Sequence, residues 1–110
     1  MDATHIAKEK PVPKGYWIGQ LDITDPAIYN TYKLADVEPF KDYGARYVVR
    51  GGRQESPEGH WRSRTVVIEF PSYDAAVACY HDPQFQAIMA VRKLSSIADV
   101  VIVEGHEPEG

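Results

Sequence analysis

Apolar positions along this chain recur first at every second residue, then at helical spacing, and the cycle repeats. In GYWIGQLDIT (Gly15–Thr24) aromatic and β-branched residues predict a strand, with Trp17, Leu21 and Ile23 on one face and Tyr16, Ile18, Gln20 and Asp22 on the other. Asp25-Pro26 then opens a helix. The carboxylate accepts from unpaired N–H groups, and proline at the first position gives up no hydrogen bond. Ile28, Tyr32, Ala35, Phe40 and Tyr43 carry the helical period. Pro39 should kink or split this helix, and Gly44 is suited to a left-handed stop. ARYVVRG (Ala45–Gly51) and RSRTVVIEF (Arg62–Phe70) read as the second and third strands. The polar run between them, with Gly51, Gly52, Pro57 and Gly59, reads as a long hairpin loop. Its middle, Gln54 to Gly59, reads as a solvated, mobile turn.

The second helical region begins at Ser72, a capping residue, with Asp74 in the first turn. Asp82-Pro83 repeats the earlier Asp-Pro start and predicts a break and restart. Phe85, Ile88, Met89 and Arg92 continue the stripe. DVVIVEG (Asp99–Gly105) is a short closing strand. The order β-α-β, β-α-β favours an α+β, ferredoxin-like split β-α-β sandwich: a four-stranded antiparallel sheet with its helices on one face. Val66, Ile68, Val100, Ile102 and their neighbours make both sheet faces too apolar for one to stay wet. A homodimer through the free sheet faces is the economical cover.

Composition narrows the function classes. The chain has 110 residues, 44% of them hydrophobic, and a net charge of -4. That suits one domain over 14–105 between a polar leader, 1–13, and a short tail, 106–110. The balance is not that of a nucleic-acid binder, and no apolar run reaches the length of a membrane span. The leader has no apolar stretch of signal-peptide type. The single Cys79 forms no internal disulfide and fits a reducing cytoplasm.

Several segments act together as a signature. GYWIGQLDITDPAIYNTY, RYVVRGG, RTVVIEFPSYDAAVACYHDPQFQ and VVIVEG resemble the bacterial domain-of-unknown-function family 1330 over about residues 14–105. The resemblance implies the dimeric α+β barrel superfamily. It implies no reaction. Relatives of that fold include cofactor-free monooxygenases, isomerases, haem proteins of the chlorite-dismutase type and proteins without known chemistry.

The candidate chemistry is sparse. If the hairpin pairs symmetrically, Arg50 and Arg64 should lie within a few residues of each other across it, with Arg46 on the same strand face as Arg50. Two guanidiniums near one spot bind a carboxylate or phosphate bidentately. The alternative is that they are edge-strand charges that discourage aggregation. Asp22, Glu69 and Glu104 each end a strand. If they gather at one end of the sheet, crowding would raise a pKa and make Glu69 a candidate general base. His60 is the candidate for acid–base work near neutral pH. It and Trp61 would either cover the Arg50–Arg64 region or reach a second subunit. Tyr16, Tyr47 and Tyr80 could line a pocket, with Tyr16 and Tyr80 as ligand contacts beside Arg64 and Arg50. No histidine pair has metal-binding spacing and no histidine falls inside a strand, so neither a metal nor a haem is expected, and no cofactor is. The expected activity is binding of a small polar or anionic organic molecule. Cofactor-free oxygenase or isomerase chemistry is one extension of it. A non-catalytic binding or structural dimer is the alternative.

Overall fold

Burial alternates along β1 (Gly15–Ile23): Gly15, Trp17, Gly19 and Leu21 are buried and the residues between them are only half covered. The computed structural model describes residues 12–35 and 37–106, without the side chains of 33–35 and 37–39. Most of the expected leader and tail, residues 1–11 and 107–110, lies outside the described residues. β1 is central because it is the strand whose inner face is most deeply covered. It pairs antiparallel with β3 (Arg64–Phe70) on one side and β4 (Ser96–Glu104) on the other. β2 (Arg46–Arg50) adds to the far edge of β3, giving the order β2-β3-β1-β4. The helices α1 (Pro26–Ala35), α2 (Val37–Asp42), α3 (Tyr73–His81) and α4 (Pro83–Ser95) complete the expected ferredoxin-like α+β fold. No helix among the described residues is long and apolar enough to cross a membrane.

The helix boundaries follow the capping residues. Asp25 Oδ1 accepts from the Ile28 N–H (3.2 Å), and Ser72 Oγ accepts from the Ala75 N–H (3.0 Å). The second Asp-Pro also starts a helix: Asp82 Oδ1 accepts from the Gln84 N–H at 2.8 Å, and Pro83 opens α4. The first helical region is split, as expected, into α1 and α2. Pro39 sits in the first turn of α2, where a missing N–H costs nothing. Gly44 is left-handed, with φ of 69°.

Three expectations are corrected. The closing strand starts at Ser96, not Asp99. α4 passes into β4 without a loop, and the Ser95 carbonyl accepts from the Thr24 and Asp25 N–H groups, tying the junction to the end of β1. Ile23 is exposed although it continues the alternation of Trp17 and Leu21, because β3 stops opposite Leu21 and leaves Ile23 a strand neighbour only on the β4 side. Third, Arg46 and Arg50 do not share a face. The register shifts between Tyr47 and Val49, so one extra residue re-phases the strand.

The core is aromatic. Trp17 packs with ring centroids 4.8 Å from Phe70, 4.8 Å from Phe85, 5.6 Å from Phe40 and 5.6 Å from Tyr80. Its indole N–H donates to the Ala76 carbonyl at 2.8 Å, which satisfies the one polar atom of a buried ring. Cys79, on the buried face of α3, is fully covered, and burial pushes its thiol up to about 12. It is a packing residue rather than a nucleophile.

Gly15 marks a close approach. A Cβ there would stand 2.4 Å from the Ser72 carbonyl oxygen, which is backbone and cannot step aside. Gly15→Ala should therefore destabilise the fold by roughly 1–3 kcal/mol. A lower urea midpoint at unchanged slope would confirm this, and an unchanged midpoint would refute it.

Candidate functional site

Between the inner face of the sheet and helices α1 and α4 lies a cavity of about 40 Å³. Its origin is Gly19. Inner-face positions of β1 run Gly15, Trp17, Gly19, Leu21, so a bare position separates two large side chains. A Cβ on Gly19 would meet nothing nearer than 3.6 Å, so no neighbour requires glycine there. A glycine inside a strand weakens it, and here what it leaves behind is open space.

Thirteen of the described residues line the cavity, and none of these is acidic. The charged ones are Arg50 on β2, Arg64 on β3 and Arg92 on α4. Tyr29 and Tyr32 of α1 and Tyr47 of β2 bring phenols, and Val66, Ile68, Met89 and Val100 keep the rest apolar. Arg50 and Arg64 do come together as the hairpin pairing predicts: Arg50 is opposite Val66, two residues from Arg64. The guanidinium of Arg50 stacks 4.0 Å from the Tyr47 ring centroid, and that of Arg64 lies 5.7 Å from the Tyr29 ring. Arg64 Nε is buried and has no hydrogen-bond partner. Gly51, at φ 68°, makes room for it. A Cβ there would fall 1.9 Å from Arg64 Nη1, so this left-handed glycine lets the guanidinium fold back beneath the hairpin.

Arg92 is only 6% exposed, and its Nε donates to Met89 Sδ at 3.3 Å. Thioether sulfur is a weak acceptor. Among the described residues no carboxylate pairs with Arg50, Arg64 or Arg92. Two unit charges ~7 Å apart at an effective dielectric near ~20 repel by about 2 kcal/mol. An anion entering the cavity would relieve that repulsion.

The remaining expected site residues lie elsewhere. Tyr16 is on the outer face, where its hydroxyl donates to Glu69 Oε2 at 3.0 Å. Tyr80 packs edge-on against Trp17 and His81. His60 is exposed in the hairpin loop, and neither it nor Trp61 covers the arginines. Instead the loop bends over the outer sheet face. The Trp61 indole N–H donates to the Glu58 carbonyl at 2.8 Å. Gln54 Oε1 accepts from Thr65 Oγ1 at 2.6 Å, and Thr65 in turn accepts from Gln20 Nε2.

The three-carboxylate cluster does not exist. β1 runs antiparallel to both neighbours, so its end lies opposite their beginnings. Glu69 stands opposite Tyr16 and Glu104 opposite Gly15, whereas Asp22 stands opposite Ile97 at the other end. Arg46 Nε donates to Glu69 Oε1 at 2.8 Å. That bond first, and the Tyr16 hydroxyl second, holds the Glu69 carboxyl below its ordinary range. A general base needs the opposite shift. Asp22 accepts from the Ser63 N–H and hydroxyl, both at 3.0 Å, and from Arg62 Nη1 at 3.0 Å, which likewise lower it. Arg62 Nε reaches Asp99 at 2.9 Å, so the hairpin base is fastened to β1 and β4. No group of three His, Cys, Asp or Glu side chains among the described residues could hold a metal ion.

The family model for a domain of unknown function, DUF1330, matches residues 14–106. The chain belongs to the DUF1330 family. A DUF1330 assignment fixes no reaction, and among curated proteins there is no match. A protein of unknown function from Rhodopseudomonas palustris, RPA0582, is 16% identical with a TM-score of 0.70, covering 96% of this chain and 92% of its own. SnoaB, a cofactor-independent oxygenase from Streptomyces nogalater, is 11% identical with a TM-score of 0.60, over 88% and 97%. A dimeric protein of unknown function with a ferredoxin-like fold from Bacteroides fragilis is 15% identical with a TM-score of 0.55, over 83% and 95%. At these identities the likeness is one of fold.

Reasoning from sequence missed Arg92, Tyr29, Tyr32 and Gly19. Gly19 did leave a signal: a lone glycine between Trp17 and Leu21 on a strand's buried face.

Both depressed carboxyls make folding depend on pH. Their contribution is complete above the ordinary values of 3.8 for Asp22 and 4.5 for Glu69, and is lost as pH falls toward the depressed folded values. Urea midpoints measured from pH 7 down to pH 3 should drop below about pH 4.5. Asp22→Asn with Glu69→Gln should flatten that drop, and an equally steep drop in the double variant would contradict the assignment.

Proposed function

We propose that this protein binds a small organic anion in the cavity behind Gly19, with Arg64 as principal anchor and Arg92 and Arg50 beside it. The observation that carries this reading is one apolar cavity lined by three guanidiniums and no carboxylate among the described residues. Apolar walls with a few convergent polar groups are the usual make-up of a small-molecule site. The described lining offers phenols but neither carboxylate nor imidazole, which favours binding over proton abstraction. An oxygenase-like activity has its support in the fold shared with SnoaB, and fold alone does not assign a reaction.

The working unit in this reading is a homodimer. Val101 and Val103 are exposed on the outer sheet face beside the half-covered Ile18 and Val67. A second copy laid face to face would cover them, and the Bacteroides fragilis protein of similar fold is dimeric.

Two measurements test these statements. After equilibration with a metabolite extract and washing, mass spectrometry should find an acidic metabolite retained by the wild type and lost from Arg64→Gln. Gly19→Val should lose it too while melting no lower than the wild type, since the added side chain fills space rather than displacing backbone. Undiminished retention in both variants would move the site elsewhere. Light scattering behind size exclusion should give twice the 12.4 kDa chain mass at micromolar concentration. A monomer would sink the dimer.

A further inference from the structure

Two features of the cavity go beyond the presence of positive charge: its cations stand on different walls, and the space between them is apolar. Arg64 rises from the sheet wall, on β3. Arg92 descends from the helix wall, on α4. Both are poorly satisfied within the chain. Arg64 Nε is buried without an acceptor, and Arg92, almost wholly buried, has a thioether sulfur as its Nε partner. Arg50 differs, because it is exposed and stacked on Tyr47, so water and a ring face already meet its charge. One carboxylate is matched bidentately by one guanidinium fork. A single carboxylate on Arg64 would therefore leave Arg92, only 6% exposed, without an anion, and a buried cation without a partner is costly. An inorganic oxyanion could be shared between the forks. It would, however, place no hydrocarbon against Val66, Ile68, Val100 and Met89, which line the space between.

We infer that the ligand is a short-chain dicarboxylate, one carboxylate on Arg64, the other on Arg92, with its hydrocarbon chain lying over Gly19. This inference rests on the anion-binding reading above and narrows it to a charge and a shape. The small volume, about 40 Å³, restricts the spacer to a few carbons.

The test is a calorimetric titration of the full-length protein at constant ionic strength, with malonate, succinate and glutarate against butyrate and inorganic phosphate. One of the three dicarboxylates should bind at least about tenfold tighter than butyrate, because the second charged hydrogen-bonded pair contributes beyond the first. It should also bind tighter than phosphate. Arg92→Gln should erase the difference between dicarboxylate and butyrate, and Arg64→Gln should weaken both. Should either variant fail to fold by circular dichroism, the wild-type series decides alone. Butyrate equal to the dicarboxylates would overturn the second anchor while leaving the anion site intact. Phosphate binding as tightly as the best dicarboxylate would overturn the role of the hydrocarbon chain. Absence of binding by every one of these probes would overturn the dicarboxylate inference, whereas the metabolite-retention experiment judges the broader reading independently.

Discussion

The structure turns on the burial of Trp17. Its ring sits at the centre of the inner sheet face, in contact with Phe40, Phe70, Tyr80 and Phe85, and its N–H holds the Ala76 carbonyl of α3. One side chain thus touches aromatics from the first and second helical regions and from β3. Such a ring brings a large apolar area out of water at little cost in rotamer freedom, and its polar atom is not left unpaired. The helices are fixed at this end of the sheet. Two residues further along the same face stands Gly19, where no side chain fills the gap. Tight packing at one position and open space at the next make the inner face both a core and a container.

A cavity lined by several guanidiniums is a destabilising feature in a small domain. Void volume forfeits contacts, and uncompensated guanidiniums repel one another. A core of Trp17, Phe70, Phe85 and Ile68 can carry that cost because it is concentrated and fully packed elsewhere. Proteins tend to accept such local costs where a ligand is bound, and the position of the cost is informative. Here it coincides with the place where the strand loses its side chain and the helix presents a buried arginine.

How far the sequence could be read follows from the range of each signal. Strand alternation, both Asp-Pro starts, Ser72 and Gly44 depend on neighbours within a few residues, and each sits in the role its chemistry dictates. The closing strand was legible only from Asp99, because Ser96-Ile97-Ala98 carries no local strand signal and its pairing comes from Leu21, Asp22 and Ile23, more than seventy residues away. The proposed carboxylate cluster failed for a simpler reason. Asp22, Glu69 and Glu104 each end a strand, but antiparallel pairing puts the end of β1 opposite the beginnings of β3 and β4. Arg92 was legible as part of a helical stripe but not as a cavity-lining residue, since only the packing of α4 over Gly19 turns that stripe toward the cavity.

The fate of the arginines depends on a single residue in an edge strand. Regular alternation would place Arg46 and Arg50 on one face. The register shift between Tyr47 and Val49 sends them to opposite faces. Arg46, on the outer face, is taken up by Glu69, and Arg62 by Asp22 and Asp99. Exposed pairs of this kind contribute little stability. What they do is remove two cations and three carboxylates from competition. Arg50, by contrast, is turned inward to join Arg64 and Arg92, where no described carboxylate follows. Among the described residues, Arg46 and Arg62 hold their ion pairs on the sheet's outer face, while Arg50, Arg64 and Arg92 line the cavity behind it. In the proposed reading, a small anion would enter a cavity from which the described carboxylates are held away by strand register.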